Sequence, residues 1–212
     1  MRKNMPKEMR QVYNRLAATY DANRGLFEMS GIFKGFFALL GKQKGHLLDL
    51  GCGAGEPIPG YFLEKGWQVT GVDFSEKMLE LAKRYQPGME TTLADITNVS
   101  FQNEQFDAII SVYVLFHIEK EKHPHVFSSI YQWLKPGGKA LFTYASKAYT
   151  GSETFSGYIE FMAERLFYSH LSPADLRRVL LETGFHIHGI DPLEIGGETF
   201  LWVTVSKPDE IK

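Results

Sequence analysis

Short apolar runs alternate with segments of helical periodicity along most of the chain. Apolar residues recur every three or four positions in six predicted helices, at about 5–20, 29–40, 56–65, 75–85, 121–134 and 172–184. Apolar or alternating runs predict seven strands, at about 46–50, 67–72, 90–94, 106–112, 139–144, 185–190 and 199–205. Strands that alternate with helices indicate an α/β fold with a doubly wound, mainly parallel sheet and helices on both faces. Because no helix separates the last two strands, we expect the final strand to be antiparallel.

A different pattern occupies residues 145–170, where aromatic residues are frequent but follow neither the helical nor the strand period. We expect this segment to be irregular or partly helical. The chain has 212 residues, of which 44% are apolar and 23% are charged, as is typical of one ordinary globular domain.

The most informative segment is the sequence HLLDLGCGAG, from His46 to Gly55. A predicted strand ends just after Asp49 and breaks into glycines at alternate positions, Gly51, Gly53 and Gly55. Glycines in such a turn allow the backbone to come very close to a ligand. Since a helix is predicted directly after the turn, the segment predicts a cradle for a nucleotide-type cofactor.

Four acidic residues bear on which cofactor the cradle holds. Asp73 ends the second strand, 22 residues after Gly51, where an acid can accept hydrogen bonds from the ribose hydroxyls of NAD or of another adenosine ligand. Glu56 stands where a pyrophosphate-binding turn has its third glycine, which disfavours a dinucleotide. Asp49 suits a cationic amino group, and Asp95, after the third strand, suits an adenine amino group. S-adenosylmethionine, which combines adenosine, ammonium and sulfonium groups, fits all of these features.

These segments together resemble class I S-adenosylmethionine-dependent methyltransferases of the small-molecule type, the methyltransferase types 11 and 25. The matching segments are Leu48–Gly55, Gly71–Ser75, Ala94–Ile96, Phe106–His117 and Leu134–Gly138. The first predicted helix, with Tyr13 and Tyr20, also resembles the entry helix of that family. The resemblance implies one Rossmann-like domain over residues 1–212, with a helical lid at 1–42 and a substrate-side insertion at about 145–171.

The resemblance also implies a role for each residue of the cofactor site. Asp49 and the Ser111 carbonyl would hold the cofactor ammonium, and Tyr20 would reach the cofactor carboxylate. Asp73 would accept hydrogen bonds from the ribose hydroxyls, and Asp95 would accept one from the adenine amino group. The implied set is completed by Tyr13, Gly51, Cys52, Gly53, Phe74, Met78, Ala94, Ile96, Val112 and Tyr113. The sequence departs from many relatives at Glu56–Pro57, directly after the glycine turn. The contact that this position makes with the cofactor therefore stays open.

The implied activity is transfer of a methyl group to an oxygen, nitrogen or carbon atom of a small molecule. Such a reaction depends mainly on alignment, and it needs a general base only where the acceptor must lose a proton early. The candidate bases are His117, Tyr144 and His170. Aromatic residues of the lid and the insertion, such as Phe33 and Tyr168, are candidates to line an apolar substrate pocket. The histidines follow no metal-ligand spacing, and no metal is predicted.

Charge and cysteine content narrow the function classes further. The net charge of −2 disfavours a nucleic-acid partner. The single cysteine, Cys52, excludes a disulfide or a cysteine-based zinc site within the chain. Because no apolar leader or membrane-spanning segment is visible, we expect a cytoplasmic protein without a membrane partner. The oligomeric state is open. Two alternative functions also stay open: a non-catalytic S-adenosylmethionine-binding subunit and an NAD-dependent oxidoreductase.

Overall fold

The computed structural model describes residues 5–22 and 29–209, which fold around a seven-stranded sheet and a separate two-stranded hairpin. The strands are β1 (His46–Leu50), β2 (Gln68–Asp73), β3 (Glu90–Leu93), β4 (Phe106–Ser111), β5 (Leu134–Tyr144), β6 (Phe155–Phe161), β7 (Glu164–His170), β8 (His186–Ile195) and β9 (Glu198–Ser206). The helices are α1 (Met5–Ala22), α2 (Ser30–Leu40), α3 (Ile58–Glu64), α4 (Glu76–Tyr85), α5 (His123–Trp133), α6 (Lys147–Thr150) and α7 (Pro173–Thr183). Among these helices, none is long and apolar enough to cross a bilayer.

The strand order of the main sheet is β3-β2-β1-β4-β5-β9-β8. Strands β1 to β5 pair in parallel, whereas β9 pairs antiparallel with both β5 and β8. This confirms the predicted doubly wound α/β fold with an antiparallel last strand. Chain order reverses between β1 and β4, and ligands of such sheets bind at the carboxyl ends of the strands beside this switch point.

Two apolar clusters cover the two faces of the sheet. On one face, Phe127 and Ile130 of α5 and Leu176 and Leu180 of α7 pack against β4, β5 and β9. The opposite cluster contains side chains of α2, α3 and α4, namely Phe33, Phe36, Leu40, Phe62, Leu79 and Ala82. The sheet is therefore rigidly packed from both sides, and the loops at its carboxyl edge start from fixed positions.

Capping side chains set the starts of α4 and α7 where the sequence predicts them. The Ser75 hydroxyl accepts a hydrogen bond from the Met78 N–H, and the Ser172 hydroxyl accepts one from the Asp175 N–H. Each bond satisfies a backbone donor that the first helical turn leaves free. At its other end α7 stops at Gly184, which has a φ of 105° that glycine adopts readily.

The segment 145–170 differs from the prediction, because most of it is the antiparallel β6–β7 hairpin. Along β6 partly buried and exposed residues alternate strictly, the period of a strand with one covered face. The hairpin turn is formed by Met162 and Ala163, with φ angles of 50° and 60°. Because neither residue is a usual one for such a turn, the sequence carries no signal for the hairpin.

Candidate active site

The glycine turn after β1 is held against the end of β2. The N–H groups of Gly51 and Cys52 both donate to the Val72 carbonyl, at 2.7 and 3.0 Å. Gly51 has a φ of 81°, and a Cβ at this position would lie 2.2 Å from the Val114 side chain, so no other residue fits. Around a Cβ at Gly53, by contrast, no described atom lies within 4 Å. The backbone at Gly53 therefore borders open space that a ligand can enter.

Two buried carboxylates, those of Asp49 and Asp73, flank this turn. Asp73 is 9% exposed and accepts hydrogen bonds from the N–H groups of Gly53 and Ser75, at 3.0 and 2.8 Å. Burial raises the pKa of Asp49 to about 8, with a further contribution from the charge of Asp73, and raises the pKa of Asp73 to about 6. No basic side chain of the described residues offsets these shifts. The turn is therefore an environment that favours a bound cation.

The residues expected around an adenine lie at the ends of β2 and β3. The Ala94 N–H donates to the Asp73 carbonyl at 3.0 Å, which fixes the two strand ends side by side. Ile96 and Met78 are both buried, and Ile96 belongs to the core cluster under the sheet edge. The Asp95 carboxylate accepts from the N–H and the hydroxyl of Thr97, both at 2.8 Å, so one of its oxygens is already bonded.

Helix α1 lies across the carboxyl edge and brings Tyr13 and Tyr20 to it. The Tyr13 ring packs edge-on against Phe74 at a centroid distance of 5.6 Å, and 6.1 Å separates it from the Tyr20 ring. The amide of Asn14 joins α1 to α4, because its oxygen accepts from the Ser75 hydroxyl at 2.6 Å. Sequence reasoning missed Asn14, and a lone asparagine in a polar helix gives no signal of such a contact.

The loop after β4 carries Tyr113, a residue with a constrained backbone conformation. The Ser111 hydroxyl donates to the Leu50 carbonyl at 3.0 Å, and Val112 is partly buried beside the core. Tyr113 has a φ of 60°, which a bulky residue adopts at an energetic cost, and its N–H donates to the Thr143 hydroxyl at 2.6 Å. Such strained residues are frequent at functional sites.

Of the three candidate bases, His117 contacts the residues described above. Its Nδ1 lies 2.7 Å from the Phe167 carbonyl and its Nε2 lies 2.8 Å from the Tyr13 hydroxyl. Burial lowers the pKa of His117 to about 4, so the ring is neutral at pH 7. Since a carbonyl only accepts, the proton resides on Nδ1, and Nε2 accepts the hydrogen bond from Tyr13.

The other two candidates, Tyr144 and His170, are fully buried and lie near one another. The Tyr144 hydroxyl donates to Nδ1 of His123 at 2.6 Å and accepts from the Leu171 N–H at 3.0 Å. Nε2 of His170 lies 2.7 Å from the Thr150 hydroxyl. The structure thus brings His117, but neither Tyr144 nor His170, into hydrogen-bond contact with α1.

The aromatic residues expected to line a substrate pocket separate into two places. Phe33 lies in the core cluster against the sheet and α3. Tyr168 instead belongs to a cluster at the carboxyl edge, with Phe116, Tyr149 and Phe200. Glu198 at the start of β9 joins that cluster, because its carboxylate accepts from the Tyr149 hydroxyl at 3.3 Å. Sequence reasoning missed Glu198, since its placement depends on a strand return from the far edge of the sheet.

A family model described as a methyltransferase domain matches residues 48–142. A maize protein named phosphoethanolamine N-methyltransferase 1 is 37% identical over 120 residues, 54% of this chain. The chain spans about a quarter to a third of the length of the plant relatives it matches.

Solved structures show the same fold. An S-adenosylmethionine-dependent methyltransferase from Mesorhizobium loti superposes with a TM-score of 0.63 at 22% identity, over 76% of this chain and 90% of that one. The glycopeptide N-methyltransferase MtfA, solved with S-adenosylhomocysteine, gives a TM-score of 0.65 at 19% identity, over 83% and 88% of the two chains. Sheet order, glycine turn and domain match lead to one conclusion: residues 48–142 match a methyltransferase domain, and the chain has the fold of the S-adenosylmethionine-dependent methyltransferases.

Proposed function

We propose that this chain is an S-adenosylmethionine-dependent methyltransferase that transfers a methyl group to an oxygen, nitrogen or carbon atom of a small molecule. The observation that carries the proposal is the pair of buried acids, Asp49 and Asp73, beside the open backbone of Gly53. A cation bound here would restore the charged form of carboxylates whose pKa burial raises. The ammonium and sulfonium groups of S-adenosylmethionine supply that charge, and its adenosine suits the acid that ends β2.

The donor set of the site fits this cofactor. Both oxygens of Asp73 accept a backbone N–H, and each has a second lone pair for a ribose hydroxyl. Asp49 and the Ser111 carbonyl would both bind the ammonium, and Asp95 would bind the adenine amino group. The remaining contacts would come from Tyr13, Tyr20, Gly51, Cys52, Gly53, Phe74, Met78, Ala94, Ile96, Val112 and Tyr113.

When bound, the cofactor supplies a methyl group on a positively charged sulfur, which is already a strong electrophile. The task of the protein is therefore alignment, and positioning can lower such a barrier by roughly 7–11 kcal/mol. We assign α1 the role of a lid that excludes water, and the β6–β7 hairpin the substrate side. The Tyr13 hydroxyl donates its proton to Nε2 of His117, which leaves the lone pairs of its oxygen free to accept a hydrogen bond from the acceptor group and orient it.

The plant relatives are named N-methyltransferases, which supports nitrogen as one of the three acceptor atoms proposed. Composition supports the rest of the proposal, namely a small-molecule substrate in the cytoplasm and no nucleic-acid partner. The net charge of −2 gives the chain no net electrostatic attraction to a polyanion.

Calorimetric titration of the purified chain with S-adenosylhomocysteine and, separately, with NAD⁺ tests the cofactor assignment. We expect saturable binding of S-adenosylhomocysteine and none of NAD⁺. Asp73→Asn is expected to weaken the binding at least about tenfold, since hydrogen bonds to a charged group contribute roughly 1.5–3 kcal/mol. Asp191→Asn, at an exposed aspartate of β8, is the matched control. Binding of NAD⁺ alone would overturn the proposal.

A further inference from the structure

One carboxylate and four tyrosines lie near one another at the carboxyl edge of the sheet; we refer to Tyr20, Tyr113, Tyr149, Tyr168 and Glu198 as the acidic aromatic cluster. Glu198 precedes Leu201, which pairs with Tyr144 at the end of β5, so Glu198 lies beyond that strand end. The Tyr149 hydroxyl donates to Glu198 at 3.3 Å and lies 3.2 Å from the Tyr168 hydroxyl. The cluster therefore adjoins the proposed cofactor site through α1 and the loop after β4.

Aromatic rings pack closely within this cluster. Centroid distances are 5.2 Å for Tyr149–Tyr168, 4.5 Å for Tyr149–Phe200 and 5.4 Å for Tyr113–Phe200. Tyr20 completes the set from α1, where its ring is 6.1 Å from that of Tyr13. Rings from five separate elements or loops thus meet around the position of Glu198.

The carboxylate of Glu198 has no basic partner to balance it within the described part of the chain. Burial raises its pKa, and a hydrogen bond from Tyr149 opposes that shift. Its charge in turn adds to the effect of burial in raising the pKa of Tyr20, Tyr113, Tyr149 and Tyr168. A cation placed among these rings would therefore relieve an unfavourable charge.

We propose that the acidic aromatic cluster binds an organic ammonium group, so that the methyl acceptor is a small amine or carries an ammonium beside the accepting atom. Aromatic faces attract alkylammonium ions by cation–π interactions, and the partly buried carboxylate of Glu198 adds a direct attraction. A neutral acceptor would bring no positive charge to Glu198, which has no basic partner among the described residues. This inference rests on the proposed function, because it names the substrate class of the same site.

Two ligands of nearly equal shape test the inference on the native chain saturated with S-adenosylhomocysteine. Choline carries a quaternary ammonium, and 3,3-dimethyl-1-butanol has a neutral carbon in its place. We expect calorimetry to give at least about tenfold tighter binding of choline, the range of a desolvated cation–π contact. Equal affinity for the two compounds, or no binding of choline, would overturn the inference. Since S-adenosylhomocysteine is titrated first, failure of the proposed function is seen separately.

Substitution at Glu198 locates the binding site. Glu198→Gln keeps the shape and removes the charge, so choline affinity is expected to fall about tenfold or more, while S-adenosylhomocysteine affinity stays within about twofold. Glu194→Gln, at an exposed position of β8, which pairs with β9, is the matched control. It is expected to change neither the choline affinity nor the S-adenosylhomocysteine affinity. Choline binding that survives Glu198→Gln unchanged would contradict the assignment. Were Glu198→Gln to fail to fold, the comparison of the two ligands on the native chain would still decide.

Discussion

Folding removes the carboxylates of Asp49 and Asp73 from water, and this is the feature on which the site depends. In the unfolded chain an aspartate has a pKa of about 3.9. In the fold the pKa of Asp49 is about 8, because burial disfavours its charge. The folded state therefore holds more protons than the unfolded state between about pH 4 and pH 8, so Asp49 lowers the free energy of unfolding as pH rises through that window.

Replacing Asp49 by asparagine tests how much the buried carboxylate lowers the free energy of unfolding. We expect Asp49→Asn to raise the free energy of unfolding by several kcal/mol near pH 8.5, and by much less near pH 4.5, where the carboxylate is protonated in the fold and partly protonated when unfolded. Urea unfolding at the two pH values measures the difference. Asp191→Asn, at an exposed aspartate of β8, is the matched control, and an equal gain at both pH values for Asp49→Asn would refute the expectation.

The same shift predicts proton release when the cofactor binds. Near pH 7 most Asp49 side chains are protonated, since the pKa is about 8, and an ammonium beside the carboxylate would lower that value. We expect release of close to one proton, and an affinity for S-adenosylhomocysteine that increases from about pH 6 to pH 8. Calorimetry in buffers with different ionisation enthalpies counts the protons. Asp49→Asn should abolish the release; binding without proton release in the native chain would contradict the prediction.

At the scale of elements, α1 is attached to the sheet edge from two sides. Asn14 accepts from the Ser75 hydroxyl and donates to Glu76, both on the α4 side. On the hairpin side, Arg15 forms an ion pair with Glu164 of β7 at 2.7 Å. The ion pair is largely exposed and contributes little, whereas the amide satisfies groups at the start of a helix.

We therefore expect Asn14→Ala to loosen α1 more than Arg15→Ala does. The predicted result is faster amide hydrogen exchange over residues 5–22, by about five- to tenfold, without a change in the strands of the sheet, because local opening involves little of the core. Bound S-adenosylhomocysteine should restore protection if α1 is a lid. Equal exchange in Asn14→Ala and Arg15→Ala would argue against the role of the amide.

The β6–β7 hairpin turns through Ala163, which has a φ of 60°. Glycine adopts this conformation without the steric cost that a Cβ imposes. We expect Ala163→Gly to raise the free energy of unfolding by about 1 kcal/mol. Ala174→Gly, in the first turn of α7, is the matched control and should lower it by up to about 1 kcal/mol. Thermal unfolding of both variants measures the difference, and a loss of stability in Ala163→Gly would contradict the turn geometry.

These examples explain which features could be predicted from the sequence. The glycine turn, Asp73 and the Ser75 cap depend on neighbours in the chain, so their local patterns predict them. The Tyr13–His117 hydrogen bond joins residues 104 positions apart, and Glu198 reaches the site only through the return of β9. Such contacts depend on tertiary packing, for which a single sequence has no local signal.

At the scale of the whole molecule, the parallel sheet and its reversed last strand bring distant segments to one edge. Strands β1 and β2 deliver Asp49, Asp73 and the glycine turn, and β4 delivers Ser111, whereas β9 delivers Glu198 from the opposite direction. Cofactor and acceptor sites are thus built on one rigid sheet around different carboxylates, Asp73 and Glu198, although Tyr20 and Tyr113 are assigned to both. Each ligand should therefore depend on its own carboxylate, independently of the other one.

Thermal unfolding with each ligand tests that independence. A ligand at a hundred times its Kd stabilises the fold by about 2.7 kcal/mol, which raises the Tm of a chain of this size by roughly 5–10 °C. We expect S-adenosylhomocysteine to produce this shift in the native chain and in Glu198→Gln, but much less of it in Asp73→Asn. Choline should add a further shift in the native chain and in Asp73→Asn, but not in Glu198→Gln. Were both variants to lose both shifts, the two sites would be one coupled unit, and the division of the sheet edge into a cofactor part and an acceptor part would be wrong.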